Sequence, residues 1–283
     1  MNQRPHVLIK NVRFIYDDGT VALTDIDLEI QHGERVGLAG VNGSGKTTLC
    51  KQINGLLVPS NGSVVVEGIV TSESDVSSLS KQVAYLFQNP DHQIFCSSVF
   101  EEVSFGLKNL GLGVESIDKR VRQYLGLLGL EEYAGTPPLT LSLGLRRLVS
   151  IASTLAMEQD LVILDEPVAW LDFAQTQRAI NVIKQISDKG RTVIVVTHNM
   201  KVIEELTDRL IVMSEGKIAT DGSTREILSN PDALWESGLV ASPVSRLARK
   251  LGWSPPGKPI SSLNDFVSAM RTSEVGGGAF GPR

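Results

Sequence analysis

Eight consecutive residues, Gly40-Val41-Asn42-Gly43-Ser44-Gly45-Lys46-Thr47, fill the pattern G-x-x-x-x-G-K-[ST] without a gap. Phosphate chemistry dictates these residue types. Gly40, Gly43 and Gly45 let the backbone turn tightly and bring its N–H groups against phosphate oxygens. A helix after the loop adds the positive end of its dipole to the same anion. Lys46 supplies a mobile point charge for β- and γ-phosphates, and Thr47 a hydroxyl for Mg²⁺. Asn42, Ser44 and Thr48 belong to the same expected binding stretch. A charge-assisted hydrogen bond contributes about 1.5–3 kcal/mol, so loss of Lys46 alone is expected to weaken nucleotide binding. The competing reading is a glycine-rich turn before an ordinary helix.

A second group follows far downstream. Leu161-Val162-Ile163-Leu164-Asp165-Glu166 is an apolar run ending in two acids. Side chains alternate along a strand, so Asp165 can face a metal shell while Glu166 points towards an attacking water. Asp165 is expected to hold Mg²⁺ through its water shell, and Glu166 to orient or deprotonate the nucleophile. The plain alternative is a strand that ends in solvated acids.

The elements that must position these groups are legible in outline. Val7 to Tyr16 and Ala22 to Ile30 read as antiparallel strands around an Asp17-Asp18-Gly19 turn. Val36 to Ala39 is a short apolar run stopping at Gly40, with a helix starting near Thr47. Val64 to Glu67 and Val83 to Phe87 read as strands, and the pattern turns helical from Val99 to Tyr133. Ser142 stands where an N-cap opens a helix through Ala156. Leu161 to Leu164 and Thr192 to Val196 are buried parallel strands in character, and the amphipathic Thr176 to Ser187 completes a βαβ unit between them. Beyond Gly222 only short helical pieces are expected, and Glu274 to Arg283, with three successive glycines, reads as disordered. The result is an α/β core with an inserted helical lobe at roughly 90–157, and the motifs fall at carboxyl ends of strands, where such folds bind ligands.

Bulk properties narrow the classes. The 283 residues carry 27 Lys+Arg against 32 Asp+Glu, a net charge of −5, which speaks against a nucleic-acid partner. Cys50 and Cys96 are far apart and form no metal motif. Met1 to Lys10 has no apolar core of a signal peptide, and nowhere do about 18 apolar residues run together. Any membrane role is therefore expected to rely on spans in other chains.

GTPases, kinases and helicases share the phosphate loop, but no Asn-Lys-x-Asp is present. Over residues 1 to about 225 the order of further elements resembles the ABC ATPase family, which implies a P-loop core with an antiparallel β subdomain and a helical subdomain. The resemblance implies that Tyr16 stacks on adenine. Gln88, after strand Val83 to Phe87, becomes the Q-loop glutamine that senses Mg²⁺ and the transport partner. Leu141-Ser142-Leu143-Gly144-Leu145 stands where the family has LSGGQ, Asp172 matches the D-loop aspartate, and His198 the switch histidine. Ser142 and the Gly144 backbone open a helix, an anion-binding place. In the family that place closes over the γ-phosphate of ATP held by a partner subunit.

A narrower resemblance lies in Phe87-Gln88-Asn89-Pro90-Asp91-His92-Gln93-Ile94-Phe95 and Val99-Phe100-Glu101-Glu102-Val103-Ser104-Phe105-Gly106. These look like ATPases of energy-coupling-factor uptake transporters, which import vitamins and cobalt or nickel ions. Ser242 to Leu247 and Leu263 to Phe266 look like that group's C-terminal region. The resemblance implies ATP and Mg²⁺ as cofactors, a second ATPase subunit, integral membrane coupling and substrate-binding proteins, and a place on the cytoplasmic face of the membrane. It also implies a cassette over 1–225 and an extension over 226–283. Leu143 and Leu145 depart from LSGGQ, and Val168 and Phe173 from the usual Thr and Pro. These departures imply a weakened composite site, which suits a non-identical partner and leaves a homodimer of slow turnover open. A soluble non-transport ABC ATPase, or an ATP-binding regulatory subunit, stays open as an alternative.

Overall fold

The computed structural model describes residues 4–230, 234–235, 238–240, 242–251, 260 and 263–275. Two sheets dominate. An antiparallel sheet has the order β2-β1-β4-β5, formed by β1 (Val7–Ile15), β2 (Val21–Ile30), β4 (Asn61–Val66) and β5 (Ile69–Val70). A six-stranded sheet has the order β10-β9-β3-β8-β7-β6, formed by β3 (Arg35–Gly40), β6 (Val83–Leu86), β7 (Leu161–Asp165), β8 (Thr192–Val196), β9 (Arg209–Ser214) and β10 (Lys217–Ser223). In this sheet only the β9–β10 pair is antiparallel.

Burial explains the composition of the central strands. Every residue of β7 and β8 is buried, as strands covered on both faces require. Their register pairs Asp165 with Val196 and Leu38 with Val196. The carboxyl ends of β3, β7 and β8 thus lie side by side, and the phosphate loop, the two acids and His198 all leave the sheet at that edge. Helix α1 (Lys46–Ile53) follows β3, and α6 (Phe173–Ser187) crosses from β7 to β8.

The short α2 (Val76–Ser80) precedes β6. The helical lobe contains α3 (Val99–Asn109), α4 (Val114–Leu128) and α5 (Leu143–Ala156), joined by a core that includes Val103, Leu107, Val121, Leu125, Leu148 and Ala152. A second core, with Ile9, Ile26, Leu49, Val64 and Ile163, lies between the two sheets. The helical stretch expected over Val99–Tyr133 divides at Gly111, whose φ of 78° only glycine adopts cheaply. Helix α6 starts at Phe173, three residues earlier than expected, because Asp172 and Gln175 form a capping box.

Three strands escape the sequence reading, the two-residue β5 and the pair β9 and β10. β9 and β10 form a hairpin around Glu215 and Gly216, which have φ of 49° and 74°, the left-handed pair of a type I′ turn. Helices α7 (Met200–Leu206) and α8 (Thr224–Leu228) flank the hairpin, and α9 (Pro243–Lys250) and α10 (Leu263–Val275) follow. Glu274 and Val275 therefore close a helix, in place of the disorder expected from 274 onward; residues 276–283 lie outside the described ones.

Candidate nucleotide site

The loop from Gly40 to Gly45 folds as its glycines dictate. Gly40, Gly43 and Gly45 have φ of 151°, 81° and 99°. A Cβ at Gly40 would stand 2.3 Å from the Met213 carbonyl oxygen, and one at Gly45 would stand 2.7 Å from that of Ala22. Gly45 is also the N-cap of α1 and supplies no side-chain cap. The first N–H groups of α1 therefore have no capping acceptor and point to the loop's concave side, as anion binding needs. Lys46 Nζ donates to the carbonyls of Gly40 and Val41 at 2.9 Å and to Ser44 Oγ at 3.3 Å. Burial lowers the Lys46 pKa, and the charges of Asp165 and Glu166 oppose that shift.

A cavity of about 480 Å³ opens over this loop. Of the residues expected to bind, Tyr16, Asn42, Gly43, Gly45, Lys46, Thr47, Thr48, Gln88, Asp165 and Glu166 all line it. Gly40 and Ser44 form the frame beneath. Tyr16 stands at the edge, its hydroxyl 2.8 Å from Thr48 Oγ1 and its ring edge-on to Phe14.

Asp165 is buried and accepts from Thr47 Oγ1 at 3.1 Å and from Tyr85 OH at 3.3 Å. Burial raises its pKa, the neighbouring Glu166 adds to the rise, and the two hydroxyls oppose it. A carboxylate so desolvated, beside a hydroxyl and the carboxamide of Gln88, is a set of hard oxygen donors that suits Mg²⁺.

Glu166 leaves the strand with φ of 49°, a strained value for a residue with a Cβ. Its N–H donates to the Val196 carbonyl at 2.7 Å. One carboxylate oxygen accepts from Thr197 Oγ1 at 2.7 Å; the other accepts the His198 N–H at 3.2 Å and lies 2.7 Å from His198 Nδ1. His198 is largely exposed and Glu166 mostly covered.

Three expected residues lie elsewhere. Ser142 caps α5 through Leu145 N, Gly144 packs under the Trp170 carbonyl, and Asp172 caps α6 through Gln175 N at 2.8 Å. None of them lines the cavity.

The structure adds three residues that sequence reasoning missed: Tyr85, Thr197 and Arg147. Arg147 is fully buried on α5. Its guanidinium donates to the carbonyls of Phe87, Gln88, Asp165, Glu166 and Pro167, and its charge lies 5.9 Å from the Trp170 ring centre. Burial holds its pKa down at about 10. The available signal was an arginine on the apolar face of a helix, where an unpaired charge is costly.

A parallel sheet with a phosphate loop after one strand, paired acids after another and a histidine after a third defines a P-loop NTPase cassette. The description of the ABC transporter family matches residues 23–169. The chain is 42% identical over 253 residues to the energy-coupling factor transporter ATP-binding protein EcfA2 of Caldanaerobacter subterraneus subsp. tengcongensis, covering 87% of this chain and 88% of that protein. Among solved structures, cbiO1 of Clostridium perfringens, described as part of the ABC transporter complex cbiONQ, aligns with a TM-score of 0.73. The two are 31% identical, and the alignment covers 88% of this chain and 100% of that one. A dimeric ATP-binding cassette bound to ADP and Pi aligns with a TM-score of 0.72 at 29% identity, over 77% of this chain and 99% of that one. The chain belongs to the ABC transporter ATP-binding family. It spans 44–45% of the length of three longer curated relatives, named as ABC transporter ATP-binding proteins, which it matches at 38–42% identity.

Proposed function

We propose that this chain is an ATP-hydrolysing subunit of an energy-coupling-factor type importer for vitamins or transition-metal ions, and that it works as an ATP-sandwiched dimer. The observation carrying the proposal is the division of the site. The loop, Lys46, Thr47, Asp165 and Glu166 share one cavity, while Ser142 and Gly144 open α5 away from it. A nucleotide held by this loop presents its γ-phosphate to a second copy or a related, non-identical cassette, whose residue equivalent to Ser142 then completes the shell. The dimeric relative with ADP and Pi supports this reading.

The residues divide the chemistry. The α1 N–H groups and Lys46 bind the β- and γ-phosphates, and Tyr16 offers its ring to the base. Thr47, Asp165 and Gln88 would hold Mg²⁺, which when bound would offset phosphate charge. Glu166 orients a water and takes its proton; Thr197 and His198 fix the carboxylate, and His198 extends towards the γ-phosphate. Asp172 lies at the face expected to meet the partner.

A cleft of about 620 Å³ lined by Tyr85, Phe87, His92, Gln93, Phe95 and Phe105, among others, lies on the other side of the Gln88 segment. We assign it to a membrane coupling protein. Among the described residues no helix is long and apolar enough to cross a membrane. On the proposed importer role, the chain sits at the cytoplasmic face of the membrane, with the cassette over 1–225 and an extension over 226–283.

The test is sedimentation of Glu166→Gln with Mg·ATP. Slowed hydrolysis should trap a dimer that ADP does not support and that Ser142→Arg abolishes. A species that stays monomeric at saturating Mg·ATP refutes the sandwich. The regulatory reading draws on Leu145, which packs against the core of the helical lobe in place of a polar side chain. If this segment limits turnover, Leu143→Gly with Leu145→Gln raises the ATPase rate of the assembled complex; an unchanged rate removes that idea.

A further inference from the structure

The register of the antiparallel sheet gathers two imidazoles and a carboxylate away from the nucleotide. Val7 pairs with Ile30 on one side and with Val66 on the other. The preceding residue, His6, therefore lies between the chain leaving β2, which carries His32, and Glu67, just past β4. The Glu67 N–H donates to the His6 carbonyl at 3.0 Å. One Glu67 oxygen is 2.9 Å from His6 Nε2 and 3.4 Å from His32 Nδ1, and the three donor atoms lie within 4.8 Å of one another.

His6 is 1% exposed. Its Nδ1 is 2.7 Å from Thr192 Oγ1, which itself accepts the Gly33 N–H at 2.8 Å. That contact fixes the ring and leaves Nε2 facing Glu67, with the His32 ring stacked on its face. Despite the close Glu67 oxygen, Nε2 makes no hydrogen bond. A buried ring nitrogen whose one close contact, the Glu67 oxygen at 2.9 Å, lacks hydrogen-bond geometry is poorly satisfied, and a cation between the two would serve both.

We propose that His6, His32 and Glu67 bind one divalent transition-metal ion of the Zn²⁺ class. Two imidazoles and a carboxylate are a donor set that such ions take, with the fourth tetrahedral position left to water. Bonds of about 2.0–2.2 Å in a tetrahedron hold ligand atoms roughly 3.3 Å apart, a value bracketed by the two observed separations to Glu67. The His6 and His32 rings stack at 4.2 Å with 14° between planes, so His32, the more exposed of the two, turns to bring its nitrogen onto the ion. The Thr192 hydroxyl is the outer support that orients a ligating histidine. An ion there ties the antiparallel sheet to the core sheet through β8. None of the three ligands lines the nucleotide cavity, so the site is separate from that of Mg²⁺.

The test uses the full chain, stripped with EDTA, free of nucleotide and titrated with Co²⁺. The expected result is a single equivalent bound with the visible d–d bands of a tetrahedral ion, displaced by Zn²⁺, and a raised melting temperature. His32→Ala and Glu67→Gln, both at partly exposed positions, should abolish the bands while melting like the metal-free parent. Thr192→Val should weaken binding about 10- to 100-fold. Absence of the bands at one equivalent, or their persistence in both ligand variants, overturns the proposal.

Discussion

Glu166 concentrates the chemistry and pays for its position in backbone conformation: a carboxylate at φ of 49°, gripped by Thr197 and His198. Glu166→Gln keeps the shape and removes the proposed base. It should bind Mg·ATP as tightly as the parent and lower turnover about 10²–10⁴-fold, read by nucleotide titration beside steady-state hydrolysis. A second residue-scale expectation concerns Cys96. Burial first, then the charge of Glu102, push its thiol up to about 11. Only the thiolate reacts, and a raised pKa leaves it scarce until the pH approaches that value. Alkylation by iodoacetamide should thus rise about tenfold per pH unit from 7 to 10, and Glu102→Gln should accelerate it at pH 8. Lys46, Asp165 and Glu166 could be read from the sequence because short motifs at strand ends carry them. Tyr85 and Thr197 could not, since their partner, across the strand ends, appears only when β6, β7 and β8 align.

Among the elements, α5 does the most to connect parts of the molecule. Ser142 caps it, Leu145 and Leu148 anchor it in the helical lobe, and Arg147 reaches from it to five carbonyls. Replacing Arg147 with Met leaves buried acceptors unpaired at about 1–3 kcal/mol each, so urea unfolding should show a loss of about 3 kcal/mol or more. Arg147→Lys should recover little, because an ammonium lacks the planar fork that serves several carbonyls at once. The periodicity of α5 and its cap were legible, as were the buried strands β7 and β8. The β9–β10 hairpin was not read: β10 alternates between exposed and half-buried positions and has no apolar face to announce it. Its Glu-Gly turn was the overlooked signal.

At the scale of the whole molecule, two cavities flank the stretch from Tyr85 to Gln93, one over the phosphate loop and one beside α3. Phe95 and Phe105 meet edge to face at 4.7 Å, and both are exposed on the second cavity. Phe95→Asp should abolish co-purification with membrane partners while leaving Mg·ATP affinity unchanged, measured on the isolated chain. Loss of both would tie the two cavities into one folding unit and count against a dedicated docking role. A sensor role for the Gln88 segment is an expectation from resemblance alone; that the segment forms a wall common to both cavities needed the structure.

One peg joins this wall to the acids. A single guanidinium grips the peptide groups at 87–88 and those at 165–167, so the segment proposed to meet a membrane partner and the segment proposed to ready water are not mechanically independent. A tug on the outer end reaches the acids through a rigid planar fork and no intervening hinge. In the proposed importer, hydrolysis would thus be throttled from outside with no contact to nucleotide, and damage to the peg should decouple fuel use from work before it stops either one.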